Sequence, residues 1–259
     1  MITKGKLCQA LDALGLSNVD LCVHSSMRSF GERLDHGPGD FVEALLSRDC
    51  TIMVPTFSSR FLAESDNDET AVFRPECKDI SVEKMGILSS YILQVPGSVR
   101  GNHPLNSFTA LGPHALELVM GQTPQDVYAP FRQLYHRDGF ILLAGVSLDR
   151  ATIIHYAEQL AGRRLFVRRA RTADGTVPVA VGGCSRGFNK LSPVLEPFRR
   201  SAAVGQSKWS CFRVRDIITA CKEAIENDPY ITHCGDRLCS RCNDAVRGGP
   251  PVDELFWNS

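Results

Sequence analysis

The chain has 259 residues, 43% of them hydrophobic and 22% charged, enough to bury a sizeable core in one large domain or two small ones. Lys plus Arg and Asp plus Glu each number 29. That balance argues against a nucleic-acid or membrane-surface protein, whose affinity would rest on excess basic charge. No apolar run reaches bilayer-spanning length, and the opening residues lead into an amphipathic segment rather than the apolar core of a secretion signal, so a cytoplasmic protein is expected.

Residues 6–16 carry apolar positions at helical spacing, Leu7, Leu11 and Leu14. A buried strand over 19–23 then ends in His24-Ser25-Ser26, which reads as a polar loop. Gly37-Pro38-Gly39-Asp40 opens a helix to Leu46, with Asp40 as its cap. The segment 51–57 reads as a second strand and is followed by an acidic loop containing Glu64, Asp66, Asp68 and Glu69. A helix is expected over 81–94, a loop over 100–104, a strand over 107–111 and a helix over 114–120. Asp138-Gly139 turns into the strand 140–146, and a helix runs from 149–152 to Leu160. Residues 164–171 and 177–181, joined through Asp174-Gly175, have the pattern of a β-hairpin. Two more helices are expected around 192–200 and 214–226. The pattern predicts an α/β fold: a mixed sheet flanked by helices, an added hairpin and a Cys-rich C-terminal segment at about 230–245, all within a single domain over 1–259.

Three polar loops follow strands, where α/β proteins place ligands. His24 to Gly31 offers three serines, an arginine and a glycine ahead of a helix, which suits a phosphate; the same residues also serve as local side-chain-to-backbone bonds. Arg100-Gly101-Asn102-His103-Pro104 supplies a guanidinium for phosphate, or simply a proline-fixed turn. Thr152, His155 and Glu158 fall on one helix face, where an oriented imidazole takes a proton from an amine or hydroxyl; an ordinary polar helix surface has the same pattern.

Read together, V-H-S-S-x-x-S-x-G (23–31), M-V-P-T (53–56), H-P-x-x-S-F-x-A-x-G (103–112) and D-G-x-x-L-L-x-G-V with T-x-x-H-x-A-E (138–158) resemble, in order and spacing, the aminoglycoside 3-N-acetyltransferases. The fold of that family differs from the commoner N-acetyltransferase fold. The resemblance implies acetyl-coenzyme A as co-substrate, bound by His24, Ser25, Ser26, Ser29, Phe30 and Gly31 with Arg100, His103, Ser107 and Phe108. It implies His155 as general base supported by Glu158, and direct acetyl transfer to the 3-amino group of a 2-deoxystreptamine ring. Aminoglycosides are polycations, so Asp66, Asp68 and Glu69, with Thr152, are expected at the acceptor; a solvated charge run is the other reading of that loop. A monomer or homodimer is expected. The chain departs from the family at 179–183, VAVGG, where relatives often carry a carboxylate. That departure keeps two other readings in view: a same-fold enzyme acting on another amine metabolite, and a non-catalytic relative that binds coenzyme A or zinc.

Cys239 and Cys242 form a C-x₂-C pair suited to one tetrahedral zinc, with His233 or Cys234 as third ligand and Cys184 as the distant fourth. Some family members resemble this chain at Cys184, His233, Cys239 and Cys242. Such a zinc would be structural, since four protein ligands leave no open position. Free thiols on a flexible tail are the alternative.

Overall fold

A computed structural model of the chain describes residues 1–65 and 70–251, excluding the side chains of Val82 and Lys84. Helix α1 (Lys4–Ala13), capped by Thr3, leads to β1 (Asp20–Ser25), and a 3-10 turn at Met27–Phe30 joins β1 to α2 (Pro38–Leu46). Next come β2 (Thr51–Pro55), β3 (Leu62–Ala63), α3 (Val82–Met85), α4 (Ile87–Gln94), β4 (Val99–Arg100) and β5 (Phe108–Leu111). α5 (Ala115–Val119), α6 (Ala129–His136), β6 (Phe140–Ala144) and α7 (Ile153–Leu160) follow. The hairpin β7 (Phe166–Thr172) and β8 (Gly175–Val181) precedes α8 (Ser192–Leu195). A second hairpin, β9 (Arg200–Val204) and β10 (Ser207–Arg213), is followed by α9 (Val214–Asn227) and α10 (Ser240–Val246).

The main sheet has the order β4-β5-β2-β1-β6-β10-β9, with β1 at its centre. β1 runs parallel to both β2 and β6, and the outer pairs are antiparallel. Strands buried on both faces read as near-continuous apolar runs, and alternate residues feed different cores. Thus Cys22, Met53, Ile141 and Leu143 join the core that packs under α5, α6, α7 and α9. Leu21, Val23, Ile52 and Leu142 join the core under α1, α2 and α4. In that second core, Phe30, Phe41 and Trp209 pack ring on ring, with Phe41 and Trp209 centroids 5.1 Å apart. A smaller sheet, β3-β7-β8, packs around Phe61, Phe73, Val179 and Val181. The carboxyl ends of β1, β2 and β6 share one edge, where open α/β sheets hold ligands.

Several boundaries differ from the sequence expectation. β1 continues through His24 and Ser25, because both pair in register with β6. The helix expected over 81–94 splits at Gly86, whose φ of 84° is left-handed backbone that only glycine adopts readily. Asp40 does not cap α2; its carboxylate accepts from the His36 N–H at 2.8 Å, and Gly37 holds the cap position. Around 192–200, Pro193 and Pro197 limit the helix to short turns before an edge strand. The hairpin β9–β10 and the helix α6 were not anticipated from the sequence.

Candidate active site and a cysteine cluster

A cleft of about 1600 Å³ opens at the shared strand edge, between the two sheets. A single-ligand pocket occupies about 300–1,000 Å³, so this volume accommodates two substrates. His24, Ser25, Ser26 and Gly31 from the end of β1 line it, as do Gly145 to Ser147 after β6 and Thr152 and His155 from α7. At Gly145 a Cβ would collide with the Ser29 hydroxyl and lie 2.5 Å from that of Ser207, so only glycine lets the serine turn close onto β6. Burial, followed by the charge of Arg150, holds His24 down at about 4, so its ring is neutral at the cleft floor.

His155 carries the arrangement best suited to proton transfer. Its Nδ1 lies 2.8 Å from Glu158 Oε2, with both side chains 10% exposed. The other carboxylate oxygen accepts from Arg163 Nη1 at 2.5 Å and from the Thr232 hydroxyl at 2.9 Å. Burial works against the charge of Glu158, but His155, Arg163 and Thr232 together outweigh it and hold the group below the usual carboxylate range. An ionised Glu158 accepts the Nδ1 proton and leaves Nε2 to take one. Phe188 meets the imidazole edge-on at 4.7 Å and Tyr128 lies parallel at 6.5 Å. On the remaining side a Cβ at Gly182 would come within 2.6 Å of the imidazole and 2.5 Å of the Tyr128 hydroxyl. The side-chain-free stretch at 182–183 therefore lets β8 pass against the base. Glu158 occupies the position of support, and residues 179–183 supply none.

Six of the residues expected at coenzyme A do not line the cleft. Arg100 is buried with its donors spent on the protein: Nε on the Ser107 hydroxyl, Nη1 on Cys77 O, and Nη2 on the carbonyls of Thr56 and Asp79. Burial lowers it to about 10, and four of its five N–H groups are already engaged within the protein. His103 is fully buried; Nε2 donates to Ala180 O at 2.8 Å and Nδ1 accepts from the Leu105 and Asn106 N–H groups, riveting the small sheet to the large one. Ser107 donates to Thr56 O, and Phe108 lies in the core. Ser29 donates to Ser26 O at 2.6 Å and bonds Ser207, while Phe30 is fully buried. These motif residues are scaffold. Asp66, Asp68 and Glu69 lie outside the described residues, whereas Thr152 lines the cleft. Arg28, noted inside the serine loop, lines it, and so do Glu83, Asp149, Arg150, Arg168 and Arg241, which sequence reading missed. Arg28 was legible inside the serine loop; Arg168 and Arg241 sit on the hairpin and on α10, far away in sequence.

Cys184, Cys234, Cys239 and Cys242 bring their sulfurs within 4.8 Å of one another. His233 is not in this group. Its Nδ1 accepts from the Gly235 N–H at 3.0 Å and its Nε2 faces Asn243 Oδ1 at 3.1 Å, while Cys234 stands in the cluster. Arg186 donates to the sulfurs of Cys184 and Cys234 at 3.5 and 3.4 Å. Burial opposes a thiolate at Cys239, but hydrogen bonds from Cys242 and Arg186 outweigh it and bring the group to about 6. Thiolates about 2.3 Å from a tetrahedral zinc stand about 3.8 Å apart. The four sulfurs fit such an ion with a contraction of about 1 Å at most.

Residues 22–226 match the family model described as aminoglycoside 3-N-acetyltransferase. The chain belongs to this family. Among aminoglycoside 3-N-acetyltransferases, enzyme IV from Salmonella sp is 28% identical over 225 residues, 82% of each chain. The crystal structure of the apoenzyme AAC(3)-IVa matches with a TM-score of 0.81 at 27% identity, covering 95% of this chain and 97% of that one. A mutant of that enzyme in complex with a gentamicin matches with the same score at 26% identity and the same coverage. AAC(3)-IVa thus shares the fold of this chain. Among the described residues no helix is long and apolar enough to cross a membrane.

Proposed function

We propose that the protein transfers the acetyl group of acetyl-coenzyme A to an amine held against His155, the 3-amino group of a 2-deoxystreptamine aminoglycoside being the acceptor that family membership favours. The observation that carries this reading is the His155–Glu158 pair opening into a cleft large enough for two substrates. An alkylammonium must lose a proton before it can attack a thioester. The free amine, formed when one proton is lost to solvent, attacks the thioester carbonyl, and His155 Nε2 takes a second proton from the nitrogen as the C–N bond forms. The C–S bond then breaks, and the proton passes to the departing coenzyme A thiolate. A positioned base of this kind contributes about 10²–10⁴-fold, and alignment of amine and thioester supplies much of the remainder. Ser25, Ser26 and the backbone around Gly31 are the donors at the cleft's serine edge for the coenzyme A arm.

Within this reading Cys184, Cys234, Cys239 and Cys242 hold one structural zinc. A bound zinc would cross-link the segment after β8 to the C-terminal segment and take no part in the chemistry. Thr232, two residues before Cys234, donates to Glu158, so that cross-link also steadies the support of the base.

Thiol release from acetyl-coenzyme A, measured with a panel of aminoglycosides, tests the assignment. Turnover that disappears in His155→Ala, with coenzyme A affinity kept, supports it; equal loss of both makes His155 structural. A second reading, an acetyltransferase of the same fold acting on another amine, is favoured by the glycines at 182–183 and by the guanidiniums of Arg168 and Arg241 that line the cleft. Coenzyme A binding without turnover of any aminoglycoside would select it.

A further inference from the structure

Arg168 and Arg241 stand on the base's side of the cleft. Arg168 follows Phe166 by two residues on β7 and so shares its face, and the Phe166 ring lies where a Cβ at Gly183 would meet it at 2.9 Å. Arg241, on α10, lines both the main cleft and the small crevice behind His155 that Phe166 and Gly183 also form. Both arginines are half-buried, and among the described residues neither guanidinium makes a hydrogen bond or pairs with a carboxylate. This sets them apart from the arginines committed elsewhere, such as Arg48 with Asp12, Arg132 with Asp126 and Arg163 with Glu158.

The acids of the described cleft do not offset them. Glu32 is bound to the N-terminal ammonium, and Asp149 lies 3.7 Å from Arg150. Glu158 is already satisfied by His155, Arg163 and Thr232. Only Glu83, on α3, offers the described cleft an uncommitted carboxylate. A guanidinium that is partly desolvated and unpaired is a poor neighbour for a polycation and a good one for an oxyanion, which it grips bidentately.

The phosphates of acetyl-coenzyme A do not account for this pair. They lie a full pantetheine arm away from the thioester, and the thioester must reach His155. The other edge of the cleft carries its own cations, Arg28 and Arg33, beside the serine turn.

We propose that the acceptor carries an oxyanion, a phosphate ester or a carboxylate, close to the amine that is acetylated, and that Arg168 and Arg241 bind it. This rests on acetyl transfer at His155. It refines the acceptor class: an aminoglycoside bearing a phosphate satisfies both, and so does an amine metabolite bearing a carboxylate.

The test compares one aminoglycoside, the same compound carrying an O-phosphate, and the same compound carrying a carboxylate, each with acetyl-coenzyme A. The expected result is a kcat/KM at least about tenfold higher for an anionic derivative, since one such charge-assisted contact carries that factor. The better of the two derivatives identifies the anion. In Arg168→Ala/Arg241→Ala, checked for folding by circular dichroism, the preference should fall to near one with the KM for acetyl-coenzyme A retained. The double Lys variant should keep part of the preference. A wild-type ratio near one overturns the proposal, and so does a double variant whose loss appears in the KM for acetyl-coenzyme A. Calorimetric binding of the three acceptors gives the same comparison without turnover. Absence of thiol release with every acceptor therefore counts against acetyl transfer, while equal binding of all three counts against the anion site.

Discussion

Replacing Glu158 by Gln isolates the support of the base, because the amide keeps the shape of the carboxylate and removes its charge. The bond lost is a buried, charge-assisted one, 2.8 Å long between side chains each 10% exposed. Such a bond is worth about 1.5–3 kcal/mol, or about 10–10²-fold in kcat once the imidazole becomes charged in the transition state. An amide N–H aimed at Nδ1 would also place the ring proton on Nε2, the wrong nitrogen for a base, and a comparable exchange in a Ser-His-Asp triad costs about 10⁴-fold. The expected loss in kcat therefore lies between about 10- and 10⁴-fold, with the KM for acetyl-coenzyme A little changed. Stability should fall too, because Arg163, 7% exposed, loses its counter-charge. Breaking a buried pair outright costs about 3–5 kcal/mol. The Gln oxygen and Pro229 O, which accepts from Arg163 Nη2 at 2.6 Å, keep the cost below that range. Steady-state kinetics with both substrates varied, together with the melting temperature, measures both effects. A variant that melts lower but keeps kcat within about threefold would show that Glu158 braces the fold and does not serve the base.

Four further outcomes are expected. His24 and His103 are each held at about 4 by burial, against an ordinary value of 6.5, so the unfolded chain binds more protons than the folded one between those limits. Stability should therefore decline as pH falls from 6.5 to 4, by about 3 kcal/mol per histidine; a flat urea midpoint across that window would refute the neutral, buried assignment. Gly182→Ala should displace the imidazole or Tyr128 and cut kcat with coenzyme A binding preserved, whereas normal kcat would mean that the wall gives way. Metal analysis should find about one zinc per chain, lost in Cys234→Ser and kept in His233→Ala; the reverse pattern would restore His233 as ligand. Arg100→Met should lower the melting temperature while leaving the KM for acetyl-coenzyme A unchanged, since its donors end on Ser107, Thr56, Cys77 and Asp79.

The central strands were legible because β1, β2 and β6 are short apolar runs with polar residues at their carboxyl ends, and the β7–β8 hairpin because Asp174-Gly175 interrupts two alternating segments. Helical spacing put His155 and Glu158 on one face, the family resemblance gave them their roles, and the structure brings them to 2.8 Å. What escaped was decided by distant partners. The strand β9, RSAAV, carries no large alternating apolar residues, and its turn rests on Gly205 at φ 58°. His103 and Arg100 look like ligand groups in sequence, and only their surroundings reveal that the His103 ring and four of the five Arg100 N–H groups are engaged within the protein. The choice between His233 and Cys234 depended on which neighbour Asn243 engages, ten residues away from His233.

The wall of bare backbone at Gly182 and Gly183 separates reactivity from selectivity. Neither residue carries a side chain that could grip the incoming amine. If the proposed anion site holds, discrimination falls to Arg168 on the hairpin and Arg241 on α10, neither of which is hydrogen-bonded to the catalytic pair. Such a division allows one proton-transfer unit to be re-aimed at new acceptors by surface substitutions alone.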